Sequence, residues 1–426
     1  MFEVDTILNI IDDVLNCPNT LEEAKKNPSD FTRQSKMSFK QACIFLLEKH
    51  SMGLQSRLNV FFKKLGKVGS MTKQGFSLCR AKFNHKPFEK INKALVKKAY
   101  SNINDFKTWN GYIPFGIDGS RMSIESSDEL RKDFGTFGSE NNIAAGMSVC
   151  ADLLNNWIIH ATLTRAAMNE RHEAMEHIDH LCAEFPHLLS KIILLFDRGY
   201  QSLKIFEELC NRGVKFVIRC QSSSNSKIIN APIGDTIIEY DNGLKLRVIK
   251  FYLSNGKVAI LATNLFDFLE HEIIELYPLR WGVETTFKTM KQKINITEYS
   301  GKSTNAVKQD FWVSIILMNI TAVFQNIADK VIQTKKEKSN MKNKYKYKAN
   351  TSDIVETFRA SYPFLSIFIP RSVRVFDMYI LSELMSISKV AIEPGRSYPR
   401  YSEKMARTYK TCKPKETEER KAKQGA

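Results

Sequence analysis

The stretch KIILLFDRGYQS, residues 191–202, decides the fold of this chain. Five apolar residues run from Ile192 to Phe196 and end at Asp197, a pattern typical of a buried strand. The next segments read as a helix, LKIFEELCNRG, closed by Gly213, and as a further strand, VKFVIRC. We therefore expect a strand, a helix and a second strand in succession, with a carboxylate at the end of the first strand.

A second carboxylate follows an apolar run upstream. YIPFGIDGSRM, residues 112–122, reads as a strand that ends at Asp118. IAAGMSVCADLLNN and WIIHATLT then predict a hairpin that turns at Asn155-Asn156, and NERHEAMEHIDHLCAEF predicts a helix. The order strand-strand-strand-helix-strand-helix-strand resembles that of an RNase H-like sheet, so we expect an α/β fold with a mixed-sheet core.

Downstream, Tyr277–Lys291 reads YPLRWGVETTFKTMK, and a helix is expected to start near Pro278. At helical spacing, Arg280, Glu284 and Lys291 lie on one face. The apolar positions that recur on a neighbouring stripe are Val283, Phe287, Met290 and Ile294. One carboxylate would thus be held between cations on an anchored helix; an amphipathic helix with solvated charges is the alternative.

The spacing Tyr-x2-Arg-x3-Glu-x6-Lys resembles the Tyr-Arg-Glu-Lys signature of bacterial DDE transposases of the insertion-sequence-four family. The resemblance implies that Glu284 completes a catalytic triad with Asp118 and Asp197. Three hard oxygen donors suit Mg²⁺, with Mn²⁺ as a substitute, and two such ions stabilise the attacking and leaving oxygens of an in-line phosphoryl transfer. Taken singly, either aspartate has a plainer interpretation, a turn-forming residue after a strand.

The same resemblance implies contacts with DNA. Tyr277, Arg280 and Lys291 would contact the transposon-end DNA, and Arg198, in the motif DRGY, would reach a phosphate. The expected partner is double-stranded DNA, both the terminal inverted repeats of the element and the target, bound by a homodimer when the ends are paired.

Composition agrees with a polyanionic partner. The chain has 426 residues, 43% of them hydrophobic, with a formal net charge of +17 and a pI near 9.3, which favours nucleic acid, with a membrane surface as the competing interpretation. No uninterrupted apolar run approaches the ~20 residues of a spanning helix, and the N-terminus lacks the basic flank of a signal peptide. The eight cysteines are scattered without a Cys-x2-Cys pair, so we expect a reducing cytoplasm, prokaryotic and nucleoid-associated by the resemblance.

Three domains are expected. Residues 1–105 predict a helical DNA-binding domain, 106–300 the RNase H-like catalytic domain, and 301–426 a helical and basic C-terminal region that ends in a charged tail. The resemblance places a β-rich insertion at about 221–264, as a small sheet outside the main one. The apolar helix predicted over 306–333 is interrupted by polar residues, which favours core or subunit packing over a membrane.

A second polar cluster competes as a metal site. Glu173, Glu176, His177 and His180 share one helical face, but we expect a solvated stripe there, because a metal site on one helix needs ligands from others. Two rival functions remain open at this stage. One is an RNase H-fold nuclease that hydrolyses DNA without strand transfer, and the other is a non-catalytic DNA-binding protein descended from a transposase.

Overall fold

The structure, a computed structural model, describes residues 4–49, 52–67, 69, 71–104, 106–138, 142–221, 225–339, 345–369, 380–381 and 383–392. The charged tail predicted at the end of the C-terminal region lies outside these ranges. The N-terminal part is helical, as the sequence predicts. Its helices are α1 (Val4–Asn16), α2 (Pro18–Ala24), α3 (Phe39–Leu47), α4 (Leu54–Lys64), α5 (Lys73–Ala81) and α6 (Lys86–Tyr100).

A mixed sheet forms the centre of the molecule. Its strands are β1 (Ile113–Ser123), β2 (Thr136–Phe137), β3 (Asn142–Asp152), β4 (Ile158–Arg165), β5 (Ile192–Phe196), β6 (Lys215–Cys220), β7 (Gly234–Glu239), β8 (Lys245–Tyr252) and β9 (Val258–Thr263). They lie in the order β2-β3-β1-β5-β6-β9-β8-β7, and β4 also pairs with β3. The pairs β1-β5 and β5-β6 are parallel, and the other pairs are antiparallel. The mixed α/β architecture is therefore confirmed.

The α-helices that the structure describes in this part of the chain lie between the strands of the sheet in sequence or follow its last strand, β9. They are α7 (Asp128–Phe134), α8 (Glu170–Glu184), α9 (Leu203–Asn211), α10 (Ser226–Asn230), α11 (Glu270–Leu276) and α12 (Gly282–Gln292), of which α11 and α12 follow β9. Strand β5 is buried along its whole length, as expected for a strand covered on two faces. Ile192, Leu194 and Phe196 belong to the large core shared with the N-terminal helices. Ile193 and Leu195 belong to a second core that includes apolar residues of α11.

Two boundaries differ from the sequence prediction. Strand β1 does not end at Asp118 but continues to Ser123, because it pairs with β3 as far as the match of Ser123 with Ala144. The helix expected from Pro278 begins later. A 3₁₀ turn spans Tyr277–Trp281, and α12 starts at Gly282, although the predicted apolar stripe on α12 is buried.

The insertion at 221–264 is rich in β-structure but does not form a separate sheet, so that prediction is wrong. Strand β9 pairs antiparallel with β6, and β8 and β7 follow outward. The physical reason is that β6 offers a free edge to β9, whose side chains are buried from Ala259 to Thr263. A short helix, α10, precedes these strands.

The C-terminal part is built around one long helix, α13 (Thr304–Ser339), followed by β10 (Lys346–Ala349), α14 (Thr351–Phe368) and β11 (Lys389–Ile392). The segment Thr304–Lys336 is long and apolar enough to cross a membrane, but 83% of its most apolar window is buried inside the protein. It is a core helix, as predicted. Buried polar contacts join it to the N-terminal helices, among them the ion pair of Arg80 with Asp310 at 3.2 Å.

Candidate functional site

Asp118 and Asp197 lie at the same level of two neighbouring strands. In the parallel pair β1-β5, Gly116 is matched with Leu195. Two residues further along the chain in each case, Asp118 lies within β1 and Asp197 directly follows the end of β5. The Asp118 side chain is 22% exposed, and its Oδ1 accepts a hydrogen bond of 2.8 Å from the Gly119 N–H. The structure thus brings the two predicted aspartates together at the same end of two adjacent strands, both of which the sequence predicted.

The environment of Asp118 disfavours its charge. Burial raises the pKa of this carboxyl to about 6 from its usual value near 4. The Gly119 N–H and the Arg280 guanidinium act to lower it, whereas the charges of Glu170 and Asp197 raise it further. A carboxyl with such a pKa exchanges its proton readily near neutral pH, a property that clusters at functional sites.

The Arg280 side chain links Glu284 to Asp118. Arg280, only 4% exposed, places Nη1 3.8 Å from Asp118 Oδ2 and donates from Nη2 to Glu284 Oε1 at 3.1 Å. Glu284 itself is exposed in the first turn of α12. The guanidinium also lies over the Trp281 ring, with 4.8 Å to the centroid. A positive group therefore stands between two of the three predicted carboxylates.

The other residues predicted to contact DNA differ in how far they are buried. Tyr277 is buried, and its hydroxyl donates to the Phe196 carbonyl at 3.2 Å, so it fixes the 3₁₀ turn to the end of β5. Lys291 is half-buried and donates from Nζ to Ser120 Oγ at 2.7 Å, two residues beyond Asp118. Arg198 is exposed. Of the four, Arg198 is the residue that lies exposed at the surface.

The chemistry of Asp118, Asp197 and Glu284 fits a divalent cation, since all three are carboxylates and hard cations prefer oxygen ligands. Over the described ranges, however, no three carboxylate, histidine or cysteine side chains lie close enough together to hold a metal ion as they are placed. Glu284 contacts Arg280 instead. The three-carboxylate centre therefore stays a prediction.

Two further residues stand at this edge that the sequence did not single out as site residues. Glu170 is the first residue of α8, whose N-terminus is capped by Asn169. Tyr200 is 1% exposed, and its hydroxyl has no hydrogen-bond partner within the described part of the chain. The only sequence signal for them is position: Glu170 opens the helix after β4, and Tyr200 closes DRGY.

The rival polar cluster on α8 is a packed network. His177 is fully buried, with its two ring nitrogens 2.8 Å from His160 Nδ1 and 3.0 Å from Ser148 Oγ. His180 stacks on His160, and Thr162 donates to the buried Glu173. The expectation of a solvated stripe is wrong for Glu173 and His177, which β3 and β4 bury, whereas Glu176 is exposed as expected.

Part of this chain matches a known family model. Residues 117–320 match the family model described as a transposase DDE domain. A probable transposase for insertion sequence element IS5377 of Geobacillus stearothermophilus is 34% identical over 70 residues, which cover 16% of this chain and 19% of that protein. The chain thus spans about a fifth of the length of the curated relative it matches. The family match includes Asp118, Asp197 and Glu284 within its bounds.

Comparison with solved structures gives weaker likenesses. A piggyBac transposase synaptic complex with hairpin DNA is 12% identical, with a TM-score of 0.47 over 98% of this chain and 92% of that one. Endonuclease V of Ciona intestinalis, in complex with an inosine-containing DNA, is 10% identical, with a TM-score of 0.25 over 49% of this chain and 97% of that one. Both TM-scores are below 0.5, so neither likeness establishes a shared fold.

Proposed function

We propose that this protein is a DDE transposase that cleaves the ends of an insertion sequence and joins the freed 3′-hydroxyl to target DNA. The observation that carries the proposal is that Asp118, in β1, and Asp197, directly after β5, stand at matched positions of two paired parallel strands, within a segment that matches a transposase DDE domain. Cleavage and joining are both in-line phosphoryl transfers, so one set of carboxylates can serve both.

Asp118, Asp197 and Glu284 are the residues proposed to hold Mg²⁺ or Mn²⁺. A bound divalent cation supplies charge stabilisation for the attacking and leaving oxygens of a phosphoryl transfer. The chain's own contribution is to keep carboxylates at the edge of a rigid sheet. Arg280 offsets their mutual repulsion, since it contacts both Asp118 and Glu284.

DNA is the proposed partner. The net charge of +17 favours a polyanion, and the exposed Arg198 and half-buried Lys291 border the aspartate edge. We assign these two to phosphate contacts. Arg280 and Tyr277, which are buried against protein, support the site from within, and their contact with DNA would require the DNA to reach beneath the surface near Trp281.

The assignment to the insertion-sequence-four family and to an RNase H-like core is the finer part of the proposal. The Tyr277–Lys291 signature and the strand order β4-β3-β1-β5-β6 support it. The continuity of β9, β8 and β7 with the main sheet speaks against the separate insertion that we expected from that family. A homodimer on paired DNA ends, in a prokaryotic cytoplasm near the nucleoid, completes the proposal.

The test is a cleavage and joining assay with the full chain. The substrate is duplex DNA that carries the inverted repeats flanking the reading frame, with a supercoiled plasmid as target and Mg²⁺ present. We expect cuts at the repeat ends and joined products that carry a repeat 3′-end linked to plasmid. Asp197→Asn should abolish both, while Asp128→Asn, at the start of α7, serves as the matched control and should leave both intact.

Each alternative function has its own outcome in this assay. Metal-dependent cuts without joined products would favour a nuclease. Sequence-specific binding without any cut, unchanged by Asp197→Asn, would favour a non-catalytic DNA-binding protein and contradict the proposal.

A further inference from the structure

Helix α5 turns one side to the protein and the other to solvent. Its buried residues are Phe76, Cys79 and Arg80. The exposed residues of the helix and its C-cap recur in pairs, one helical turn apart, and they are Lys73, Gln74, Ser77, Leu78, Ala81 and Lys82. Because residues four apart lie on the same side of a helix, these residues form one continuous surface, the α5 stripe.

Contacts near both ends hold α5 in place. The Lys73 N–H donates to Gln55 Oε1, on α4, at 2.9 Å. Toward the other end, the buried Arg80 donates from Nε to Gln309 Oε1 at 2.9 Å and from Nη2 to Asp310 Oδ1 at 3.2 Å, both on α13. The α5 stripe is therefore presented by a rigidly held helix, as the recognition of a partner with defined geometry requires.

The chain around α5 is positively charged. From Lys49 to Phe88 the sequence contains nine lysine and arginine residues and no aspartate or glutamate. In the α5 stripe, the side chains of Lys73, Gln74 and Lys82 form no hydrogen bond or ion pair within the described part of the chain. Their polar groups are thus available to a partner, and the charge of the segment complements a polyanion.

The side chains of the α5 stripe fit the major groove of DNA. A glutamine side chain can pair with the N6 and N7 atoms of adenine, and an apolar side chain can contact the methyl group of thymine. Gln74 and Leu78 stand one turn apart, and Leu78 is 70% exposed. Lys73 and Lys82 stand at the two ends of the stripe, where they can reach phosphates. An α-helix with its side chains is about 10–12 Å across, and the groove is about 12 Å wide.

We infer that α5 enters the major groove of the element's terminal inverted repeats, with Gln74 and Leu78 against base edges and Lys73 and Lys82 against phosphates. The inference rests on the proposed function, since it names the helix that recognises the DNA on which that function acts. It also goes beyond that function, whose assigned contacts are with phosphates and carry no base-sequence information directly. The α5 stripe supplies the recognition of base sequence.

The inference is tested by fluorescence anisotropy with the full chain. One labelled duplex carries the inverted repeats that flank the reading frame, and a second has the same composition in scrambled order. The parent should prefer the repeat duplex. Gln74→Ala and Leu78→Ala should each weaken binding to the repeat duplex about tenfold. Binding to the scrambled duplex should not change, because the phosphate contacts persist.

Two controls accompany these variants. Leu269→Ala removes a leucine that is 62% exposed directly before α11, whose first turn is acidic, and this variant should bind both duplexes like the parent. Lys82→Ala should weaken binding to both duplexes by the same factor and lower the slope of log affinity against log salt by about one. The far-UV circular dichroism spectrum of the parent should be retained in every variant, since all these side chains are exposed.

Gln74→Arg gives a readout that a purely structural role would not produce. Arginine pairs with the O6 and N7 atoms of guanine, whereas glutamine pairs with adenine. In a selection from duplexes randomised over the repeat, the preference at one base pair should move from A·T to G·C. The preferences at the other positions should stay those of the parent.

The outcomes separate this inference from the proposed function. Asp197→Asn should keep the preference for the repeat duplex while it abolishes cleavage. If the parent prefers that duplex and both Gln74→Ala and Leu78→Ala retain the preference, the inference about α5 is wrong and the proposed function stands. If the parent binds both duplexes equally, the inference and the assignment of the inverted repeats as substrate are both wrong. If Leu78→Ala changes the oligomeric state in size-exclusion chromatography and not the preference, the stripe contacts protein, and the inference is overturned.

Discussion

Arg280 and Glu284 are joined by a hydrogen bond of 3.1 Å between Nη2 and Oε1, one turn apart where the 3₁₀ turn passes into α12. The same guanidinium lies 3.8 Å from Asp118. The buried Arg280 guanidinium therefore contacts one carboxylate on a helix, Glu284, and one on a strand, Asp118. This relationship makes Arg280 a structural support of the site as well as a candidate for DNA contact.

Replacing Arg280 with Ala should destabilise the protein. Asp118 would then lose its neutralising partner, and the cation stacked on Trp281 would be lost as well. We expect the free energy of unfolding to fall by about 1–3 kcal/mol, measured by urea unfolding. Arg198→Ala, at an exposed position, is the matched control and should stay within about 0.5 kcal/mol of the parent. Equal free energies of unfolding for the two variants would show that Arg280 does not support the site.

Lys291 should contribute one charge to DNA binding. Its Nζ is held by Ser120 Oγ at 2.7 Å, near the aspartate edge. Lys291→Ala should weaken binding to element ends and reduce the slope of log affinity against log salt by about one. The measurement is a gel shift at several salt concentrations.

Ser120→Ala provides the control for Lys291. It removes the hydroxyl that holds the lysine but leaves the charge free to meet a phosphate, so the salt slope should match that of the parent. A Lys291→Ala protein with the parental slope would mean that this lysine serves only to join α12 to β1.

The pH dependence of stability should reveal the raised pKa of Asp118. Its pKa in the folded protein, about 6, is above the ordinary value, so the folded state holds this proton more tightly than the unfolded state. The stability that the protonated carboxyl contributes is present below about pH 4 and is lost as the pH rises through about 6. Above that range the parent must keep a partly buried charge, which Asp118→Asn does not.

The check is urea unfolding of the parent and of Asp118→Asn from pH 4.5 to 7.5 with EDTA. The difference in unfolding free energy should shift in favour of Asp118→Asn by about 1–3 kcal/mol across this range. Asp152, whose pKa burial also raises to about 6, contributes equally to both proteins and cancels. A difference that stays constant with pH would rule out the raised pKa of Asp118.

Much of the site was predictable because its signals are local. The uncharged run before Asp197 and the apolar stripe on α12 each follow from periodicity, and both are buried as expected. The pairing of β9 with β6 could not be predicted, because the residue pattern of a strand does not identify the strand with which it pairs. The contact of Arg280 with Asp118 could not be predicted for a similar reason, because the two residues are remote in sequence.

The most direct test of the account is the separation of DNA binding from cleavage in Glu284→Gln. Gln keeps the size of the side chain and an oxygen acceptor for Arg280 Nη2, but it removes the charge proposed to hold the cation. The measurement is a gel shift and a nicking assay on duplexes that carry the element's ends, with Mg²⁺ and with EDTA. We predict that binding equals that of the parent while Mg²⁺-dependent nicking falls by orders of magnitude. Nicking by Glu284→Gln at the parental rate would contradict the assignment of this carboxylate to the catalytic site.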